Sequence, residues 1–306
     1  MALAFHREES AGSGLRRMAT ELLDDARFRL AHFSKPDKDI HETRKNVKKL
    51  RAILRLGRFG LGDLVYRRDN EFLRDLNRTL ALMREAFVHI KLLNAMQQQF
   101  EQLHEADIAV LKEELEQEHQ QAISDYRDSP DRQDALARLD VMLAAVSRWP
   151  EFDRPREVLR CGLEAIYGRG REELAQLQHQ VSDEHFHDWR KRVKYLWYHL
   201  RMMAPAWPQG IRSQAAILSE LAELLGDDHD LAVFHQEILH GDIPLKPAQR
   251  KALINGLVDR RRDFAFQAIE VGKRLYVESP EAFSQRIMAY WDQWQQGVSV
   301  QVSAGS

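Results

Sequence analysis

Two segments of this chain, His41 to Leu56 (HETRKNVKKLRAILRL) and His187 to Met202 (HDWRKRVKYLWYHLRM), lie 146 residues apart and repeat one another. The alignment pairs His41 with His187, Arg44 with Arg190, Lys45 with Lys191, Val47 with Val193, Lys48 with Lys194, Leu50 with Leu196, Leu54 with Leu200 and Arg55 with Arg201. The match resumes at an offset of 145, where Leu76, Leu80, Arg84, Glu85 and Val88 meet Leu221, Leu225, His229, Asp230 and Val233. An internal copy of this kind constrains the chain to fold similarly twice. Residues 10–149 and 150–297 are therefore expected to form two matching halves, with 298–306 as a frayed tail.

The halves are expected to be helical, because only 15 glycines and 9 prolines interrupt 306 residues rich in helix formers. Periodicity and breakers predict helices over 14–32, 40–59, from 63 onward, toward 126, and from about 130 to 149. After a junction at WPEFDRP (149–155), further helices are expected over 156–180, 187–203 and 211–225. The sequence GDDHD is expected to interrupt the chain before a shorter helix to His240, followed by helices to about Tyr276 and Trp294. This is an all-α fold.

The single cysteine, Cys161, excludes an intrachain disulfide and is expected to be a small buried side chain. The opening MALAFHREESAGSG lacks the apolar core of a signal peptide, and no later stretch is apolar enough to span a bilayer. A soluble, cytoplasmic protein is expected.

The net charge of −2 hides strong segregation. Residues 41–58 hold seven Lys/Arg against Glu42 alone, whereas residues 101–140 hold twelve Asp/Glu against four Lys/Arg. On a helix His41, Arg44, Lys48, Arg51 and Arg55 form one stripe about 21 Å long, at a rise of about 1.5 Å per residue. Val47, Leu50 and Leu54 form an apolar stripe beside it. The like-charged i,i+4 pairs Arg44/Lys48, Lys45/Lys49 and Arg51/Arg55 together cost about 1 kcal/mol. Repeating that cost with residue identities preserved points to a bound polyanion rather than to a solvated face.

Three other readings fit parts of the sequence. His185-Phe186-His187 and Asp227-Asp228-His229-Asp230 offer metal ligands, although loop aspartates commonly cap helices. The basic stripes and the tryptophans suit nucleic acid, with Trp189 and Trp197 flanking the second stripe and Trp149, Trp207 and Trp294 read as helix-end packing. An enzyme acting on phosphate chains would use His41 or His187, yet the sequence has neither a Walker loop nor a glycine-rich phosphate cradle. No catalytic residue, metal or cofactor is assigned.

The two segments resemble the signature helices of the CHAD family, the conserved histidine α-helical domain, and the resemblance covers nearly the whole chain. His41, Arg44, Lys48, Leu50, Arg51 and Leu54 meet the first-half pattern, and His187, Arg190, Lys191, Lys194 and Tyr198 the second. Trp197 stands where the family usually has arginine, and Arg201 where it usually has glutamate. Leu225, Gly226 and Asp230 meet the Leu-Gly-x-x-x-Asp pattern, whereas the first-half counterpart Arg84-Glu85-Ala86-Phe87 is degenerate. Tyr167, Gly168, Arg169, Gly170 and Arg171 approximate the entry to the second half.

The resemblance implies two four-helix-bundle-like halves about a pseudo-twofold axis, enclosing a basic central cavity that binds inorganic polyphosphate without catalysis, in some members on polyphosphate granules and alongside granule proteins. Under that expectation Arg44, Arg51, Arg55, Arg190 and Arg201 supply forked donors, and Lys45, Lys48, Lys191 and Lys194 supply point charges. His41 and His187 add donors, so binding should strengthen below about pH 7. Arg16, Arg17, Arg84 and Arg169 are second-rank contacts.

Overall fold

The computed structural model describes residues 3–80, 90, 105–179, 182–240 and 247–297. Among them every regular element is helical and there is no strand. The helices are α1 (Ala11–His32), α2 (Pro36–Leu61), α3 (Asp63–Thr79), α4 (Glu105–Arg127) and α5 (Pro130–Val146). They continue as α6 (Pro155–His179), α7 (Asp183–Met203), α8 (Pro208–His240), α9 (Pro247–Leu275) and α10 (Pro280–Gln296), with a short 3-10 turn at Ala204–Ala206.

Prolines open many of the helices: α2, α5, α6, α8, α9 and α10 all begin on one, as expected near 130, 247 and 280, whereas those at 36, 155 and 208 lie in segments read as breaks. Proline suits the first turn, where its missing N–H leaves no bond unmade. Serines cap several starts; the Ser10, Ser129, Ser182 and Ser279 side chains accept from the amides of Ser13, Arg132, His185 and Ala282. At the other end of α1, Phe33 takes a left-handed φ of 46° and donates its N–H to the Arg29 carbonyl.

The expected interruption at GDDHD is corrected: α8 runs through it unbroken. A helical Gly226 costs about 1 kcal/mol relative to alanine, but tertiary contacts outweigh it. A β-carbon at Gly226 would lie 3.2 Å from Nη2 of Arg190, and Asp228 is held by Nε of Arg261 at 3.0 Å. Packing against α7 and α9 therefore keeps the helix intact.

Both basic helices pack among several neighbours. α2 packs on α1, α3 and α6, α7 packs on α6 and α8, and α2 and α7 touch each other. Packing in the first half (α1 on α2, α2 on α3, α1 on α5) is matched in the second (α6 on α7, α7 on α8, α6 on α10). The apolar stripes explain the position: Val47, Leu50, Leu54, Val193 and Leu196 are fully buried, each contributing about 1.5–3 kcal/mol. Gly162 of α6 admits the closest approach, since a β-carbon there would fall on the Leu56 carbonyl oxygen of α2.

Cys161 differs from expectation. It is only partly covered, and its thiol lies 3.4 Å from Oε1 of Glu157. Burial, followed by that carboxylate, raises its pKa, which leaves it a poor nucleophile.

Candidate anion-binding site

The first basic stripe runs along α3. Arg44 donates Nη1 to the Asn77 carbonyl at 2.9 Å. Arg51 Nε and Arg55 Nη1 both donate to Oδ1 of Asn70 at 3.1 Å, and the same Nη1 also reaches the Arg51 carbonyl at 2.8 Å. Arg51 and Arg55 are thus held by neutral oxygens, with no ion pair among the described residues. Burial lowers the Arg55 pKa, the Tyr195 and Tyr66 hydroxyls oppose this, and Arg51 and Arg192 add repulsion. Its Nε is buried without a partner.

At the seam between α2 and α7 the Arg55 guanidinium lies 4.0 Å over the Tyr195 ring, a cation–π contact. Arg201 lies 5.0 Å over Trp197, and its charge reaches Lys49, whose pKa falls through burial first and then through Lys45 and Arg201. These relations are reciprocal under the 146-residue offset: Arg55 corresponds to Arg201, and Lys49 to Tyr195. His199 anchors the seam, its Nε2 being 2.9 Å from the Ala52 carbonyl.

The second stripe runs along α8 and is built differently. The His187 and His229 rings lie 4.8 Å apart, inclined by 31°. Burial, then Lys191, His229 and Arg190, bring the His187 pKa down to about 4, while burial, then Arg190 and Lys194, bring His229 down to about 4. In the free protein burial and the cationic neighbours hold His187 neutral just below pH 7, and the expected gain of charge belongs to the histidine beside bound phosphate. Arg190 is lowered by burial and partly restored by Asp230 and Asp227, yet its Nε has no partner; Nδ1 of His187 also has none. Lys194 makes no hydrogen bond or ion pair among the described residues, and burial with Arg190 brings its pKa down to about 8.

The remaining expected residues are dispersed. His41 and Lys48 are exposed on α2, Lys45 lies 3.4 Å from Oε1 of Glu42, and Lys191 pairs with Asp188 at 2.7 Å. Arg16 is engaged by Glu151 at 2.7 Å, and Arg17 is clamped by Glu9 and Glu21 at 2.7 and 3.0 Å, so their charges serve to tie the chain together. Arg169 is exposed on α6, and Arg84 lies outside the described residues. Sequence reading did not single out Asn70, Asn77, Tyr195 or Arg192. The repeat aligns Asn70 with Ala215 and Arg192 with Asn46, so duplication carried no signal for them.

Of the competing sites, no cluster of three or more His, Cys, Asp or Glu suited to a metal occurs among the described residues. Trp189 is fully buried in the core and Trp197 lies under Arg201, which makes neither an open stacking platform. An open groove of about 690 Å³ between α8 and α9 is lined by Glu220, Glu223, Asp227 and Glu270 against Arg274 alone, and so repels a polyanion. No helix among the described residues is long and apolar enough to cross a membrane.

No curated protein shows significant similarity to the chain. The model of the CHAD domain, however, matches residues 16–239, a stretch that contains both basic helices, their seam and the α7–α8 cluster, and the chain therefore belongs to the CHAD domain family.

Proposed function

We propose that this protein binds inorganic polyphosphate, without catalysis, along the duplicated stripes of α2 and α7. The observation that carries this reading is the pair Arg51 and Arg55. Both guanidiniums rest on neutral oxygens, and that of Arg55, set against the Tyr195 ring at the seam, is largely desolvated. A buried charge without a counter-ion is costly, and a ligand phosphoryl group relieves that cost with forked, charge-assisted bonds. A phosphate chain also needs no stacking platform, which suits a site whose tryptophans are covered. Arg190 and Lys194 extend the same chemistry along α7.

The test is the quadruple variant Arg51→Ala, Arg55→Ala, Arg190→Ala and Lys194→Ala. Polyphosphate retention should be lost while the helical circular dichroism persists. The slope of log affinity against log salt should fall by about 3, four phosphate contacts at about 0.7 each. An unchanged slope removes these residues from the site. Wild-type protein should prefer polyphosphate to single-stranded RNA of equal charge; the reverse preference would assign the stripes to nucleic acid.

A further inference from the structure

Lys194 combines features that simple charge complementarity does not require. It sits one turn after Arg190 on the same stripe of α7, half-buried, facing the α8 segment that carries Gly226 and Asp230. Its amine has no hydrogen-bond or ion-pair partner among the described residues, and the buried Nε of its neighbour Arg190 has none either. The absence of a side chain at Gly226 leaves Nη2 of Arg190 resting directly against the α8 backbone. A phosphate anchor thus stands beside an unencumbered amine, with His187 and His229 closing the same cluster as neutral rings.

We propose that Lys194 is a site of acylation by small acyl phosphates, whose phosphoryl group is held by Arg190. The neutral amine attacks the acyl carbon, forming the C–N bond of an amide. The C–O bond to phosphorus breaks, inorganic phosphate leaves with the bonding pair, and the amine's surplus proton passes to water. No oxidant or second reactant is needed. Burial and the Arg190 charge supply the reactive form, because an amine whose pKa is brought down to about 8 is neutral in roughly a tenth of molecules at pH 7, a far larger share than for an ordinary lysine. The Arg190 charge favours that form and Asp230 opposes it, while the His187 and His229 rings are neutral there. Acylation removes one charge from the stripe and so weakens anion binding there, a consequence that rests on the polyphosphate reading.

The experiment treats the full chain with acetyl phosphate at pH 7 and follows each lysine by peptide mass spectrometry. Lys194 should be acetylated about tenfold faster than exposed Lys273 or Lys251, reflecting its larger neutral fraction and the anchored phosphate. Its rate should level off near pH 8, while theirs keep rising. Acetic anhydride, which has no phosphate to anchor, serves as comparator and avoids reliance on a variant that fails to fold. The preference for Lys194 should shrink severalfold with the anhydride and also in Arg190→Lys. Equal preference with both reagents, or none with acetyl phosphate, overturns the proposal. Polyphosphate should protect Lys194. Selective acetylation that polyphosphate does not slow leaves the modification standing and counts instead against the polyphosphate reading.

Discussion

The two copies of the basic helix share residues but not surroundings. In the first half, Arg51 and Arg55 rest on Asn70 and the Arg51 carbonyl, and Arg44 donates to the Asn77 carbonyl. In the second, Arg190 stands near Asp227 and Asp230, its stripe ends on a histidine pair, and Trp197 replaces the counterpart of Arg51. Duplication preserved the cations while the partner helix diverged. The first half is thus poised as an uncompensated anchor, and the second as a partly compensated cluster whose groups titrate at accessible pH.

The sharpest way to break this comparison is to strip each half separately. Arg51→Ala with Arg55→Ala should weaken polyphosphate binding about a hundredfold, at about 1.5 kcal/mol or more per charge-assisted contact. Arg190→Ala with Lys194→Ala should cost only about tenfold, since nearby carboxylates already oppose the ligand there. Equal losses in a calorimetric titration would erase the distinction between the halves.

Stability should move in opposite directions. Arg55→Met removes a desolvated charge with no carboxylate partner and should stabilise the free protein by about 1 kcal/mol in urea denaturation. Arg190→Met leaves Asp227 and Asp230 without their neighbour and should destabilise it by about 1 kcal/mol. Two shifts of the same sign would show that compensation does not differ.

The histidine pair gives the second half a pH dependence of its own. Because the folded pKa of His187 and of His229 lies near 4, below the ordinary 6.5, the charged form is disfavoured in the free fold. The unfolded chain then binds more protons, so stability falls as pH drops from 6.5 toward 4. A bound phosphate chain favours the imidazolium, and binding takes up protons in the same window. Affinity should therefore rise severalfold, by roughly 1 kcal/mol, as pH falls through that window, and His187→Gln with His229→Gln should flatten the rise. A profile unaltered by that double variant would place the proton uptake elsewhere.

The smallest effect is expected at Trp197. Trp197→Arg restores to the second stripe the cation that Arg51 provides in the first, and affinity should increase about threefold, less than one full contact because Arg201 stands nearby. A decrease would mean that the Trp197 ring, and not charge, holds Arg201 in place.

Much of this molecule was legible in its sequence. The apolar periodicities of α2 and α7 are a local signal, and they located those helices to within a few residues. Local signals failed at GDDHD, where a glycine and three aspartates read as a break although contacts with Arg190 and Arg261 hold α8 continuous. They failed again for Arg16 and Arg17, whose charge resembled that of the stripes but is taken up by Glu151, Glu9 and Glu21. Chain separation explains Arg16, since Glu151 lies 135 residues away, whereas Glu9 and Glu21 lie within eight residues of Arg17 and were there to be read.

Helical folding, internal duplication and a ladder of cations beside an apolar stripe in each copy are all written in the order of residues, because all three recur periodically along the chain. Which cations keep their charge available emerges in three dimensions. That depends on what α3 and α8 place opposite them, amide oxygens in one half and carboxylates with imidazoles in the other, and electrostatic compensation follows distance in space, which the order of residues does not record.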